Sequence, residues 1–196
     1  MNMEIIKIHD NKGLPVASFR EIRQDAEDLI AFLDERNGSF TGQYDTCFAL
    51  HHCQVSEWPK SFFVIAEKWI VGSTEPGVQA KDLWPSRVIV NPKILEKPDT
   101  IERWVTDLNA VGTKVRRKMQ KRNGVKLEEA CMSFPHRRPK NVERFYRIKV
   151  EYQYPILGGM MLRKKREWIE GLRAHIFQHE TDHDNGRNIA WGDRVK

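Results

Sequence analysis

Apolar residues recur at helical spacing early in the chain, where Ile22, Ala26, Leu29, Ile30 and Leu33 mark one face. Ser18 with Glu21 three positions on supplies a capping box, and Asn37-Gly38 supplies a stop. Elsewhere the period shortens. Runs of branched and aromatic residues predict strands at 3–8, within SFFVIAEKWIV (Ser61–Val71) and within SRVIVNPKIL (Ser86–Leu95). ERFYRIKVEYQY (Glu143–Tyr154) is the clearest strand, and a Gly158-Gly159 turn leads into another, MMLRKKRE (Met160–Glu167). Between these, Ile101, Val105, Leu108, Val115 and Met119 keep a broadly helical spacing. That spacing predicts an inserted surface helix over 96–127, capped by Thr100, broken near Gly112 and closed by Asn123-Gly124. A last helix is predicted over 167–184. The pattern is α+β: antiparallel or mixed sheets packed around a C-terminal helix, with an N-terminal helix and the inserted one.

Length fits one domain spanning 1–196, and 40% hydrophobic residues is too many for a disordered chain. No apolar run reaches the roughly 18 residues of a membrane helix. Charges interrupt the N-terminal stretch MNMEIIKIHDNKGLPV, so no secretion signal is read there. Three cysteines, Cys47, Cys53 and Cys131, are too few and odd for a disulfide scaffold and suit a reducing cytoplasm. The formal charge of +6 is uneven. Lys114, Arg116, Arg117, Lys118, Lys121, Arg122 and Lys126 fall within 113–126, which holds no acid.

FQHETDHDNG (Phe177–Gly186) places His179 and His183 four residues apart. At roughly 100° per residue they continue the face of Trp168, Leu172 and Ile176, as two ligands for one cation require. Glu180 lies beside that face, where a carboxylate can take a proton from water activated by the cation. A lone histidine here would more often be a satisfied core residue; two with the glutamate favour a metal. Downstream, only Asp184 and Asp193 remain as ligands, and the position where metzincins carry histidine is Ile189. The third ligand must therefore come from upstream, from Cys131, Cys53, Cys47, a carboxylate or another histidine. Cys131, in LEEACMSFP, stands out because a thiolate with two imidazoles leaves a fourth position open.

Gln178-His179-Glu180-Thr181-Asp182-His183 matches the Q-H-E-x-x-D-H motif of the peptide deformylases, and Glu129-Ala130-Cys131-Met132-Ser133 is similar to their E-G-C-L-S. CFALHHCQ (Cys47–Gln54) keeps only Leu50 and Gln54 of G-x-G-L-A-A-x-Q, while VNPKI and EGLRAHIFQHE add context. The chain thus resembles that family over most of its length, in a short form lacking a C-terminal extension. The resemblance implies Cys131, His179 and His183 as metal ligands and Glu180 as general acid/base. It implies Gln54 and the Met132 backbone N–H as oxyanion donors. Ala49, Leu50 and Glu129 would bind substrate, and Leu172, His175 and Ile176 would help line the pocket for its methionine side chain. Asp182 and Arg144 would support the ligands, with Arg144 pairing with Glu129.

The implied reaction is removal of formate from N-formylmethionyl nascent peptides in the cytoplasm. It would use one divalent ion per chain, iron(II) natively, with zinc, nickel or cobalt as substitutes. The basic segment 113–126 is a candidate ribosome contact; neither membrane nor DNA binding is expected. The departures bear on substrate. Cys47 and Ala49 replace glycines and narrow the groove, and His51 and His52 replace small residues. Adjacent strand residues face opposite ways, so that pair is not read as a second metal site. Two rival functions share these residues: a related metal amidase or peptidase with another acyl substrate, and a non-catalytic basic module with structural histidines.

Overall fold

The computed structural model describes residues 12–39, 47–66, 84–108, 114–133 and 140–187. The strand expected at 3–8 and the second half of Ser61–Val71 lie outside them. Helix α1 (Arg23–Ser39) follows a 3-10 turn at Phe19–Glu21. The Glu21 carboxylate accepts from the Ser18 backbone N–H at 3.0 Å and the Ser18 hydroxyl at 3.1 Å, fixing the chain's entry. Ile22, Ala26, Leu29 and Leu33 are buried as their spacing demands.

Five strands form one antiparallel sheet, in the order β1 (Ala49–His51), β2 (Phe62–Ile65), β3 (Val88–Glu96), β8 (Arg147–Ile156) and β9 (Met161–Glu170). The intervening β4 (Thr100–Leu108) pairs with β5 (Lys114–Arg122), and β6 (Val125–Glu129) pairs with β7 (Lys140–Arg144). All four residues of β2 are fully buried, so the sheet is covered on both faces there. Helix α1 packs on β1 and β2, while α2 (Leu172–Asp184) packs on β1, β3 and β9. Phe177 of α2 stacks on Trp84 at 6.2 Å and meets Phe63 edge-on at 5.9 Å, joining helix and sheet in one core.

Three expectations are corrected. Thr100–Leu108 and Lys114–Arg122 are strands in unbroken register from Thr100↔Arg122 to Leu108↔Lys114, not an inserted helix. Ile101 and Val105 are four apart but also two alternations apart, so their spacing fits either period. Cross-strand hydrogen bonding, absent from any local pattern, decides for the ribbon. The last helix starts at Leu172, because 167–170 continue β9 as far as Glu170. Gly171, at φ 63° and ψ −136°, makes the corner in a conformation that side chains disfavour. Trp168 therefore stands on a strand, with the Arg147 guanidinium 5.0 Å from its ring centre, and not on the metal face. The stretch Glu143–Tyr154 is likewise two strands with a break at Phe145-Tyr146.

The 3-10 turn His52–Gln54 after β1 buries a neutral histidine. His52 stacks on Phe62 at 4.8 Å, and its Nδ1 accepts from the Lys60 backbone N–H at 2.9 Å. Burial lowers its pKa from 6.5 to about 4, against the pull of Asp25. The unfolded ring takes a proton near 6.5 while the folded one does not. The ring thus contributes roughly 2–3 kcal/mol above that pH, lost as pH falls from 6.5 towards 4. Urea unfolding of the metal-free protein should show this loss, and His52→Gln should flatten the slope over that window.

Candidate metal centre

Helix α2 sets His179 and His183 one turn apart, with ring centres 4.8 Å apart and Nε2 atoms 3.1 Å apart. Cys131 leaves the end of β6 and brings its sulfur to 3.2 Å from His183 Nε2. Among the described residues this is the one group of three such side chains whose ligand atoms lie within 4.8 Å of one another. A tetrahedral ion with ordinary bond lengths would hold two imidazole nitrogens about 3.4 Å apart and a nitrogen and sulfur about 3.6 Å apart. The two imidazole nitrogens at 3.1 Å and the His183 nitrogen and Cys131 sulfur at 3.2 Å lie within a few tenths of an ångström of those separations.

Behind the ligands sits a buried carboxylate. Glu129 accepts from Arg144 twice, Nε to Oε1 at 2.6 Å and a terminal nitrogen to Oε2 at 2.8 Å. Its Oε2 also meets His179 Nδ1 at 2.9 Å, which turns Nε2 of that ring towards Cys131 and His183. His175 Nε2 lies 2.5 Å from Oε1. Burial alone would raise the Glu129 pKa; Arg144, His175 and His179 outweigh it and hold the group well below the usual carboxylate range. The other end of the Arg144 guanidinium donates to Asp182, so one side chain joins the β6–β7 ribbon to α2.

Both Glu129 oxygens are engaged by these partners. His175, expected in the methionine pocket, has its Nε2 on the same carboxylate. Leu50 is fully buried in the core. Ala49 and Ile176 are buried and Leu172 is partly so. Met132 is partly buried and packs on the core.

Gln54 approaches from the other side, donating from Nε2 to Ser133 Oγ at 3.2 Å and lying 3.6 Å from the Cys131 sulfur. Glu180 is buried, and its Oε2 has no hydrogen-bond partner among the described residues. Burial raises its pKa against the lowering effect of His179 and His51. On the ligands themselves, burial opposes charge, yet the facing Cys131 and Glu129 raise His179 well above 6.5. His183 goes well below 6.5, with burial and the charge on His179 both against it.

Sequence reasoning missed several supports. Ser133 anchors Gln54, and its place in the second motif was the available signal. Gln178 accepts from the Phe145 backbone N–H at 3.0 Å and donates to the Phe145 and Ala174 carbonyls, satisfying the break between β7 and β8. The buried pair of His51 and Asp184 gave no local signal, because its members are far apart in sequence.

Comparison with known proteins agrees with this geometry. The family model described as polypeptide deformylase matches residues 8–192. The peptide deformylase of Thermotoga neapolitana is 44% identical over 69 residues, covering 35% of this chain and 37% of that protein. That of Thermus thermophilus is 41% identical over 58 residues, covering 30% and 28%. These alignments thus span well under half the length of the curated relatives. Among solved structures, the Thermotoga maritima peptide deformylase superposes with a TM-score of 0.56 at 24% identity, covering 98% of this chain and 99% of that one. A probable peptide deformylase from Synechococcus phage S-SSM7 gives 0.62 at 20%, covering 97% and 99%. The Acinetobacter baumannii enzyme, solved with Met-Ala-Ser bound, gives 0.61 at 21%, again covering 97% and 99%. The fold is shared throughout, and with the family model matched along nearly its whole length, the chain belongs to the polypeptide deformylase family.

Proposed function

We propose that this protein hydrolyses the N-formyl group of formylmethionyl peptides, releasing formate and a free amino terminus. The carrying observation is the meeting of Cys131, His179 and His183 beside the buried Glu180 carboxylate, whose Oε2 has no hydrogen-bond partner among the described residues. Cys131, His179 and His183 would hold one divalent ion, iron(II) in this reading, with zinc, nickel or cobalt as substitutes. When bound, the ion supplies Lewis acidity and lowers the pKa of water.

The remaining steps belong to the chain. Glu180 accepts the proton that the attacking water gives up and returns it to the departing amine. Gln54 Nε2 and the Met132 N–H stabilise the negative charge that develops on the formyl oxygen. Glu129 and Arg144 keep His179 oriented. Among the described residues β1 is an edge strand, so a peptide can lie along its outer side, with Ala49 and Leu50 offering backbone groups. Leu172 and Ile176 provide apolar surface for the methionine side chain. The Met-Ala-Ser found on the A. baumannii enzyme supports this substrate class. Such peptides emerge from ribosomes in the cytoplasm, where we place the activity. The seven cations of 113–126, most of them on β5, are a candidate contact with ribosomal RNA phosphates.

Anaerobically purified, metal-analysed protein should release formate from a formyl-Met peptide, with Glu180→Gln lowering kcat by about 10²–10⁴-fold. Acetylated peptides should be poor substrates; equal rates on both would favour a general amidase. Unchanged activity in Glu180→Gln would sink the reading. Arg144→Ala, which strands the Glu129 carboxylate, should cost about 3–5 kcal/mol in urea unfolding. Arg144→Met with Glu129→Gln should recover much of that, and additive losses would remove the coupling. Co-sedimentation with ribosomes should fall when Lys114, Arg116, Arg117 and Lys118 are neutralised, and an unchanged pellet would end the RNA assignment.

A further inference from the structure

His51 ends β1 and is fully buried, with its backbone N–H and ring Nδ1 held by the turn that follows and its Nε2 against the last turn of α2. Its backbone N–H donates to Gln54 Oε1 at 2.9 Å, which leaves the Gln54 Nε2 facing Cys131 and Ser133. Its ring Nδ1 accepts from the Cys53 backbone N–H at 3.2 Å, closing the turn that carries Gln54. With Nδ1 an acceptor, the ring proton sits on Nε2, and Nε2 faces Asp184 Oδ1 at 3.2 Å. Both of those atoms are buried and neither makes an aligned hydrogen bond among the described residues, so the contact is a close polar approach of ring and carboxylate.

Asp184 directly follows the ligand His183 and gathers other elements as well. Its Oδ2 accepts from Ser61 Oγ at 3.0 Å, just before β2, and its backbone carbonyl accepts from the Gly13 N–H at 3.1 Å. The Gly13 backbone passes so close that a Cβ there would lie 2.3 Å from Oδ1. Cys53 adds a second strap, its thiol donating to the His183 carbonyl at 3.4 Å. The last turn of α2 and the turn bearing Gln54 are therefore tied at adjacent points, through side chains that take no part in the chemistry proposed above.

We propose that His51 is a positioning residue: through Asp184 it locks the Gln54 turn to the last turn of α2. The amide donor then keeps a fixed distance from the ligand triad. This rests on the deformylase reading for its kinetic consequence, but not for its structural one. A donor displaced by even an ångström stabilises developing charge poorly, so the effect should fall on kcat and leave ground-state binding alone.

Two substitutions separate this role from a local one. In His51→Gln the side chain is long enough to put an N–H near Asp184 while giving up the Cys53 bond. In His51→Asn the short side chain can keep the bond to the residue two positions on but cannot reach Asp184. His51→Asn and Asp184→Asn should each lower kcat by about ten- to a hundredfold, with KM within about twofold. The double variant should be no worse than the poorer single. His51→Gln should stay within about threefold of the parent. Both damaging variants should also lose metal to a chelator faster than the parent, and His51→Gln should not. If His51→Asn is harmless while His51→Gln is damaging, His51 only caps its own turn and the proposal falls. Multiplying effects in the double variant would overturn it too. Should the parent release no formate, chelator-driven metal loss still tests the lock, because that readout needs no substrate.

Discussion

A buried carboxylate needs partners, and Glu129 determines much of what surrounds it. Left alone in this interior, its charge would cost several kcal/mol. Arg144 answers it with a two-pronged hydrogen bond, and His179 and His175 fill what remains. Meeting that requirement brings the β6–β7 ribbon against α2, because Glu129 lies on β6, Arg144 on β7 and His179 on α2. Cys131, two residues beyond Glu129, is then delivered to the paired imidazoles. The ligand cluster follows from the ion pair as a matter of chain geometry.

The same contact sets the chemistry of one ligand. A hydrogen bond to Glu129 at Nδ1 leaves Nε2 of His179 free for a cation and makes the ring a better donor. Asp182, one turn along from Gln178 on α2, holds the far side of the same guanidinium. Arg144 thus restrains both the carboxylate and the helix that bears the histidines. A lysine there could neutralise charge but could not fork across Glu129 while reaching Asp182.

Legibility from sequence tracked how local each determinant is. The face of α2 with His179 and His183 follows from the helical period alone, so it was readable. So were α1, with Ile22, Ala26, Leu29 and Leu33, and the strands rich in branched residues. Cys131 stood out from its place in LEEACMSFP as the upstream candidate, while Arg144 was named as the partner of Glu129 only with the help of the motif resemblance. What failed depended on remote contacts. Thr100–Arg122 carries a spacing compatible with both periods, and only pairing between its two halves resolved it. Trp168 read as helical because the face continued smoothly, while Gly171, whose φ of 63° ends β9, was overlooked as a boundary. The contact between His175 and Glu129 links residues far apart in the sequence and was likewise unreadable from any local pattern. The link from His51 to Asp184 spans most of the chain and leaves no periodic trace.

The two glutamates near the cation site show how one neighbourhood makes two kinds of carboxylate. Both are buried, and burial pushes each upward. Glu129 meets a guanidinium and two imidazoles in direct contact, so its charge is fixed and it cannot serve as a proton carrier. Glu180, on the same helix as His179, has one oxygen with no partner among the described residues. The lowering pull of His179 does not cancel its burial, and its pKa stays raised. A base must be able to gain a proton near working pH, and a support must not. The environments drive the two residues apart in that sense, which is why the proposed reaction gives Glu180 the proton and Glu129 the orienting of His179. Exchanging the roles would require Arg144 to let go of Glu129, and with it the contact that delivers Cys131.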